Sequence, residues 1–507
     1  MFRKILIANR GEIALRIIRT CKRLGVKTVA VYSNADLESR HVISSDEAYE
    51  IGAGPPSDSY LNIPKIIKAA KKFRAEAVHP GYGFLAENPD LARACEESDL
   101  VFIGPSSRVL AQVANKLESK KFAEKAGVPV IPGAATEIQS LDRAESEARK
   151  IGFPVLVKAV YGGGGRGMRI VRTVKELQRA FDNARAEAAA GFGRPELYIE
   201  KYLKEPRHIE VQVLAGPRGK AIHLGERDCS LQRRYQKILE ETPSPALDAK
   251  QRSRLLSLAL KVVQATHYEN AGTVEFVLSK DGEFYYLETN KRIQVEHLIS
   301  EIVTGVDIVE KQLLIASEHR LDLSQDEISF TGAALNCRIN AEDPAHGFAP
   351  DPGRVTKFVP PGGPGIRIDS ALYDGAPVPE YYDSLIAKVA AYSLDRDGAV
   401  ERMRVALNET VIEGVRTTLP VHQAVLEDER FLRGSYHTQF LDEMLSGWKP
   451  KSAISSEEIA AISLAVKLAT SKVELASTRE GTLARGGWRS GLRDQQITKP
   501  ALYVEGV

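Results

Sequence analysis

The first 110 or so residues alternate between two hydrophobic periods. KILIA, KTVAVYS, AEAVHPG and LVFIGPS are short apolar runs, while GEIALRIIRTCKRLG and the stretch from Asn62 to Phe73 repeat apolar residues at helical spacing. Strands that alternate with helices predict a parallel, doubly wound sheet. Such sheets bind ligands at the carboxyl ends of their strands. Asn9-Arg10-Gly11-Glu12 and His79-Pro80-Gly81-Tyr82-Gly83 both fall there. Residues 111 to 129 read as helical, ending at Lys125-Ala126-Gly127. FPVLVKAVY, GGGGRGMR, RIVRT, a long Ala- and Glu-rich helix and ELYIEKYL then predict a small α+β lobe. From 204 onward HIEVQVLA, GKAIHLGERD, AGTVEFVLS and EFYYLET predict a larger, mainly antiparallel lobe. Gly216-Pro217-Arg218-Gly219 and Lys280-Asp281-Gly282 are its hairpin turns. The fold class is thus α/β and α+β. The predicted parts are an N-terminal doubly wound domain over 1–112, a helical connector over 113–130, a small lobe over 131–203, a large lobe over 204–446 and a tail over 447–507. In the tail, Ser455-x-x-Glu458 predicts a capping box, and Ile459, Ile462 and Val466 recur at helical spacing. The Gly- and Arg-rich end with Trp488 is too polar for a core and reads as an appendage that docks on a partner.

Composition narrows the function classes. Apolar residues make up 43% and charged residues 27% of 507, both ordinary for a globular chain. A net charge of +2 gives no field for nucleic acid or an anionic membrane. No apolar run approaches the ~20 residues that span a bilayer. The four cysteines, Cys21, Cys95, Cys229 and Cys337, are scattered and form no CxxC pair. That points to a reduced, cytoplasmic setting.

Candidate chemistry begins with the glycine run. Gly162 to Gly165 and Gly167 cost backbone entropy, which a chain accepts where backbone must approach a ligand or a flap must move. Bare amides cradle phosphate oxygens, and Lys158, just upstream, would clamp them. Read alone, the run is also compatible with a hairpin tip. Lys116, His208 and Lys237 read singly as solvated or capping residues, and ERDCSLQRRYQK as a solvated basic loop. Glu275 sits inside GTVEFVL, where a carboxylate needs a partner. Pairing across the following hairpin would bring it to Glu288. With Asn290, these form an oxygen site suited to Mg²⁺, or else an ordinary pair of salt-bridged strand carboxylates. Glu288, Asn290, Arg292, Gln294 and Glu296 occupy every second position, which in an extended chain places them on one side. Arg338 and Asp383 by themselves decide nothing.

The whole set resembles the biotin carboxylase family of the ATP-grasp fold. NRGEIALRI, SYLNI, HPGYGFLAEN, GGGGRGMR, EKYL, PRHIEVQVL, ERDCSLQRRYQK, GTVEFV, LETNKRIQVEH, CRINAED and YYDSLIAK follow in family order over about residues 1 to 445. The resemblance implies that Lys116, Lys158, His208 and Gln232 bind nucleotide, with Gly164 and Gly165 in a flap over the phosphates. It implies an adenine-holding hinge at Glu200 to Leu203, including Lys201. Glu275, Glu288 and Asn290 match Mg²⁺ (or Mn²⁺) ligands. Lys237, Arg292, Gln294 and Val295 match a bicarbonate pocket, Glu296 the base, and Arg338 the residue that stabilises the biotin enolate, with Tyr82 and Gly83 near the same pocket. The implied reaction makes carboxyphosphate from bicarbonate and MgATP, then carboxylates biotin. No methionine lies in an Ala-Met-Lys-Met motif, so biotin is expected on a separate carrier protein, beside a carboxyltransferase subunit. A homodimer is implied. GGWRSGLRD is similar to the segment after the biotin carboxylase region of acyl-CoA carboxylase α chains. Val160 and Tyr161 depart from the family's flap and are expected to stiffen it. Tyr235 stands where a histidine is usual, and Thr289, Lys291, Leu298, Ala333 and Asn336 are further departures.

Overall fold

The computed structural model describes residues 1–448, except 114 and 162–167, and residues 461–468. The chain divides into two units, Met1–Pro450 and Lys451–Val507. Of the second unit, 461–468 is helical and exposed. Gly164, Gly165, the Ser455–Glu458 box, Ile459 and the Gly- and Arg-rich end lie outside the described residues. No described helix is long and apolar enough to cross a membrane.

The N-terminal sheet is parallel. β1 (Lys4–Ile7), β2 (Lys27–Ser33), β3 (Glu47–Gly52), β4 (Ala77–His79) and β5 (Val101–Phe102) take the order β3-β2-β1-β4-β5. Ile5, Leu6 and Ile7 of β1 are fully buried, as expected for a strand covered on both faces. The loops after β1 and β4 are tied together, because Asn9 Nδ2 donates to Pro80 O and Tyr82 O, each at 2.7 Å. Gly81 is needed here: φ is +62°, and a Cβ would meet Asn9 Nδ2 at 2.9 Å.

The stretch 111–129 is not one helix. Ser107–Gln112 and Lys116–Lys125 are separate, and Asn115 caps the second by accepting from Leu117 N and Glu118 N. A side chain that satisfies free helix amides starts a helix, which the apolar pattern does not reveal. The small lobe carries a three-stranded sheet, β7-β6-β8, from β6 (Val155–Ala159), β7 (Arg169–Val171) and β8 (Leu197–Lys201).

The large lobe is built on eight antiparallel strands. β9 (Arg207–Ala215), β10 (Ala221–Arg233), β11 (Gln236–Thr242), β12 (Asn270–Leu278), β13 (Phe284–Asn290) and β14 (Ala333–Asn340) come first. Short ladders pair β15 (Glu342–Asp343) with β16 (Ala349–Pro350), β17 (Gly353–Arg354) with β20 (Pro377–Val378), and β18 (Lys357–Val359) with β22 (Val411–Glu413). β19 (Ile366–Ser370) and β21 (Leu385–Ser393) complete the large sheet, in the order β13-β12-β9-β10-β11-β14-β21-β19. Both expected hairpins form, β9 with β10 and β12 with β13.

Candidate active site

Sheet register assembles the centre of the site. Glu275 on β12 lies opposite Glu288 on β13 and opposite Glu210 on β9, and Glu210 lies opposite Arg227 on β10. Three carboxylates therefore share one row, an arrangement that requires cations close by. Lys237 supplies one. Its ammonium has three hydrogens, and it donates to Glu210 at 2.5 Å, Glu275 at 2.8 Å and Glu296 at 2.9 Å. Arg227, fully buried, meets Glu210 at 2.6 Å. Arg338 reaches Glu240 at 2.5 Å and Glu296 at 2.8 Å. Cys229 Sγ lies 3.9 Å from the Glu296 carboxylate.

Glu296 is completely buried. Burial alone would raise its pKa, but Lys237, Arg338 and Arg227 outweigh it and hold the carboxyl well below the usual range. Burial likewise opposes the charge on Glu275, and Lys237 with His208 overcomes it. Glu240 goes the other way: burial, with Glu296 adding to it, raises the pKa despite Arg338. Burial disfavours the Lys237 cation, yet Glu210, Glu275 and Glu296 drive its pKa well up. His208 sits with Nε2 3.2 Å from Glu275, and its Nδ1 lies 2.9 Å from Gln232 Nε2.

One side-by-side expectation needs correction. β13 ends at Asn290, so only Glu288 and Asn290 keep the strand's period of two. The chain then turns, and Glu296 occupies the N-cap of the helix His297–Thr304 with φ −83° and ψ 7°. Asn290, Arg292 and Gln294 nevertheless meet: Arg292 donates to Gln294 Oε1 at 3.0 Å and to Asn290 Oδ1 at 3.3 Å. Gln294 Nε2 is buried and has no hydrogen-bond partner among the described residues. Buried amide donors are rarely left so, and this one sits beside a guanidinium, the donor set an oxyanion would satisfy. Asn290 Nδ2 donates to Glu275 at 2.8 Å. Glu275, Glu288 and the amide oxygen of Asn290 make an all-oxygen set that fits a hard divalent cation.

Lys158, Glu200 and Lys201, three of the positions expected to bind nucleotide, lie in the small lobe. Lys158 on β6 meets Glu200 on β8 at 3.0 Å, and Lys120 pairs with the same carboxylate. Against the cost of burial, the two lysines hold Glu200 down at about 2. The Glu200 side chain is thus engaged inside the lobe, while Lys201 Nζ donates to Gly152 O at 2.8 Å and Leu203 is half-buried in the following loop. Lys116 begins the helix Lys116–Lys125 with Nζ 3.8 Å from Glu288. Val160 is buried with Leu117 and Tyr198, and Tyr161 Oη accepts from Asn115 at 3.2 Å. Tyr235 is 47% exposed, in the left-handed turn between β10 and β11. Tyr82 donates its hydroxyl to Glu12, Gly83 is left-handed, and Val295 O accepts from Lys388 at 3.0 Å. Asp383 is exposed and accepts from Leu385 N.

Sequence reasoning missed Glu210, Glu240, Arg227, Glu87 and Lys120. Glu210 had a signal, since His208, Glu210 and Gln212 alternate with Ile209, Val211 and Val213. Glu87 accepts from Lys291 N at 2.7 Å and lies 3.9 Å from Arg292. It comes from the N-terminal domain, and no local pattern links it to the site.

The antiparallel lobe with its row of carboxylates and the small lobe with Lys158 paired to Glu200 are the ATP-grasp arrangement. The sequence agrees. Residues 1–110 match the biotin carboxylase N-terminal domain, 115–324 the carbamoyl-phosphate synthase L chain ATP-binding domain, and 336–443 the biotin carboxylase C-terminal domain. A pyruvate carboxylase subunit of Methanothermobacter thermautotrophicus is 51% identical over 447 residues, covering 88% of this chain and 91% of that one. Biotin carboxylase 1 of Bacillus subtilis is 50% identical over 443 residues, covering 87% and 98%. The biotin carboxylase domain dimer of the Hydrogenobacter thermophilus 2-oxoglutarate carboxylase, solved with MgADP, ADP and bicarbonate, superimposes with a TM-score of 0.86 at 47% identity, covering 89% and 100%. The chain belongs to the biotin carboxylase family of ATP-dependent ligases.

Proposed function

We propose that this chain carboxylates biotin on a separate carrier protein, using bicarbonate and ATP, as the first half-reaction of a biotin-dependent acyl-CoA carboxylase. The observation that carries the reading is a donor pair, the Arg292 guanidinium and the unpaired amide of Gln294, two residues before the ionised, fully buried Glu296. In this reading, Arg292 and Gln294 hold bicarbonate with the Val295 backbone, and Lys237 neutralises the charge around it. Glu296 takes the bicarbonate proton, a step that needs a base within hydrogen-bond reach. Lys116, Lys158, His208 and Gln232 hold the nucleotide, with Tyr235 beside them, the flap Gly164–Gly165 above the phosphates and Glu200, Lys201 and Leu203 along the adenine. Glu275, Glu288 and Asn290 would hold Mg²⁺ or Mn²⁺, which neutralises phosphate charge when bound. Arg338 stabilises the biotin enolate, near Tyr82 and Gly83.

The carrier, a separate carboxyltransferase and a second copy of this chain are the proposed partners, in the cytoplasm. The final acceptor is chosen by the transferase, and the acyl-CoA reading rests on the GGWRSGLRD likeness. Pyruvate is the second reading, because a 51% identical relative belongs to a pyruvate carboxylase. The test is ATP cleavage by the purified chain. Cleavage should depend on bicarbonate and rise with free biotin; an ATPase indifferent to both would sink the proposal. Isolation of the native complex would then identify the acceptor.

A further inference from the structure

Lys388 ends the YYDSLIAK stretch, and the reaction outlined above gives it nothing to do. It lies on β21 with its side chain wholly buried. A lysine persists there only where partners replace the water it has lost. Its Nζ lies 3.0 Å from Glu12 and 3.8 Å from Asp369. The same ammonium donates to Val295 O at 3.0 Å. In the sheet, Lys388 lies directly between Arg338 on β14 and Asp369 on β19. Two neighbouring cations thus grip one turn at adjacent residues. Arg338 holds the Glu296 carboxylate at 2.8 Å, and Lys388 holds the carbonyl just before it.

The hold continues in both directions. Glu12 belongs to the N-terminal domain, so the ion pair itself joins that domain to the turn, and Glu12 also accepts the Tyr82 hydroxyl. Asp369 pairs with Arg367 at 2.9 Å, and Arg367 reaches Glu301 at 2.8 Å. Glu301 lies in the helix His297–Thr304, which starts directly after Glu296. One connected series of charges therefore holds that helix near its start and again a turn later.

We infer that Lys388, through its ion pair with Glu12, is a positioning residue that fixes the Val295–Glu296 turn and ties it to the Tyr82 ring. It touches no reacting atom and acts through Val295 and Glu296. The inference rests on the biotin carboxylase reading. A displaced base loses rate steeply, because small errors in placement are costly in catalysis. A lysine that served stability alone would leave the bicarbonate step of a folded variant untouched.

The test uses the full chain carrying Lys388→Met, and a second variant, Lys388→Met with Glu12→Gln, which removes both charges and so leaves Glu12 no unpaired anion. Bicarbonate-dependent ATP cleavage is measured beside ADP affinity and thermal midpoint. The expected result is a bicarbonate KM raised about tenfold and kcat lowered about tenfold, with ADP affinity within about twofold of the parent. If Lys388→Met does not fold, the double variant decides. An unchanged bicarbonate KM in a folded variant, or a parallel loss of bicarbonate and ADP affinity, overturns the positioning role while leaving the parent's activity intact. A parent without bicarbonate-dependent cleavage overturns both this role and the reading beneath it.

Discussion

The small lobe and the large lobe each bury a cluster of charges, and the clusters have opposite balance. At the small lobe, Lys158 and, from the connector helix, Lys120 flank one carboxylate, Glu200, so positive charge is in excess. In the large lobe, Glu210, Glu240, Glu275 and Glu296 surround Lys237, Arg227 and Arg338, so negative charge is in excess. Buried charge that is not balanced internally seeks a partner of the other sign. A lysine-rich cluster suits phosphate oxygens, and a carboxylate-rich one suits a cation. The two lobes are electrostatically complementary to the two halves of a metal–nucleotide complex, and Lys116, 3.8 Å from Glu288, links them.

The comparison is tested most severely at Glu296. Glu296→Gln should lower bicarbonate-dependent ATP cleavage by about 10²- to 10³-fold, since a positioned base contributes on that order. ADP affinity should stay near the parent's, because Lys158 and Glu200, proposed for the nucleotide, make no contact with Glu296. Loss of both in a folded variant would mean the clusters do not divide binding from chemistry. Lys158→Met should act in reverse: a KM for ATP raised by about tenfold or more, with the bicarbonate KM barely moved, since one lost charge-assisted contact is worth up to ~2 kcal/mol.

Glu200 gives a stability prediction with a defined sign. Its carboxyl, ordinarily near 4.5, is held at about 2 in the folded chain. The unfolded chain therefore takes up the proton first as pH falls, and the stabilisation is present above pH ~4.5 and lost as pH falls towards ~2. That shift corresponds to roughly 3 kcal/mol, and Glu200→Gln should forfeit about that much in denaturant melts at neutral pH. A variant as stable as the parent would show that the lysines do not depend on Glu200. The smallest effect is expected at Tyr235, which is 47% exposed. Tyr235→His should change the KM for ATP by about twofold or less, as a side chain half in water contributes little. A larger shift would add this turn to the nucleotide cluster.

Much of this was legible beforehand because it depends on local pattern. Alternating periods predicted the parallel sheet, and the two hairpin turns predicted two of the strand pairings in the large lobe, β9 with β10 and β12 with β13. Glu275 and Glu288 could be matched across their hairpin because the turn between them is short. The period-two expectation failed after Asn290 for a local reason: the strand ends there and a helix begins just after Glu296, so the alternation of residue types continued without the geometry.

The amino-acid sequence by itself determined the elements, their order, the family and the residue types available for chemistry. Tertiary structure alone decided which of them meet. Lys237 and Glu296 are 59 residues apart, and Lys388 and Val295 are 93 apart. Such pairs are set by the register of strands distant in the chain and by the docking of the N-terminal domain. A local pattern records which way a side chain faces, and only the assembled sheet supplies what it faces.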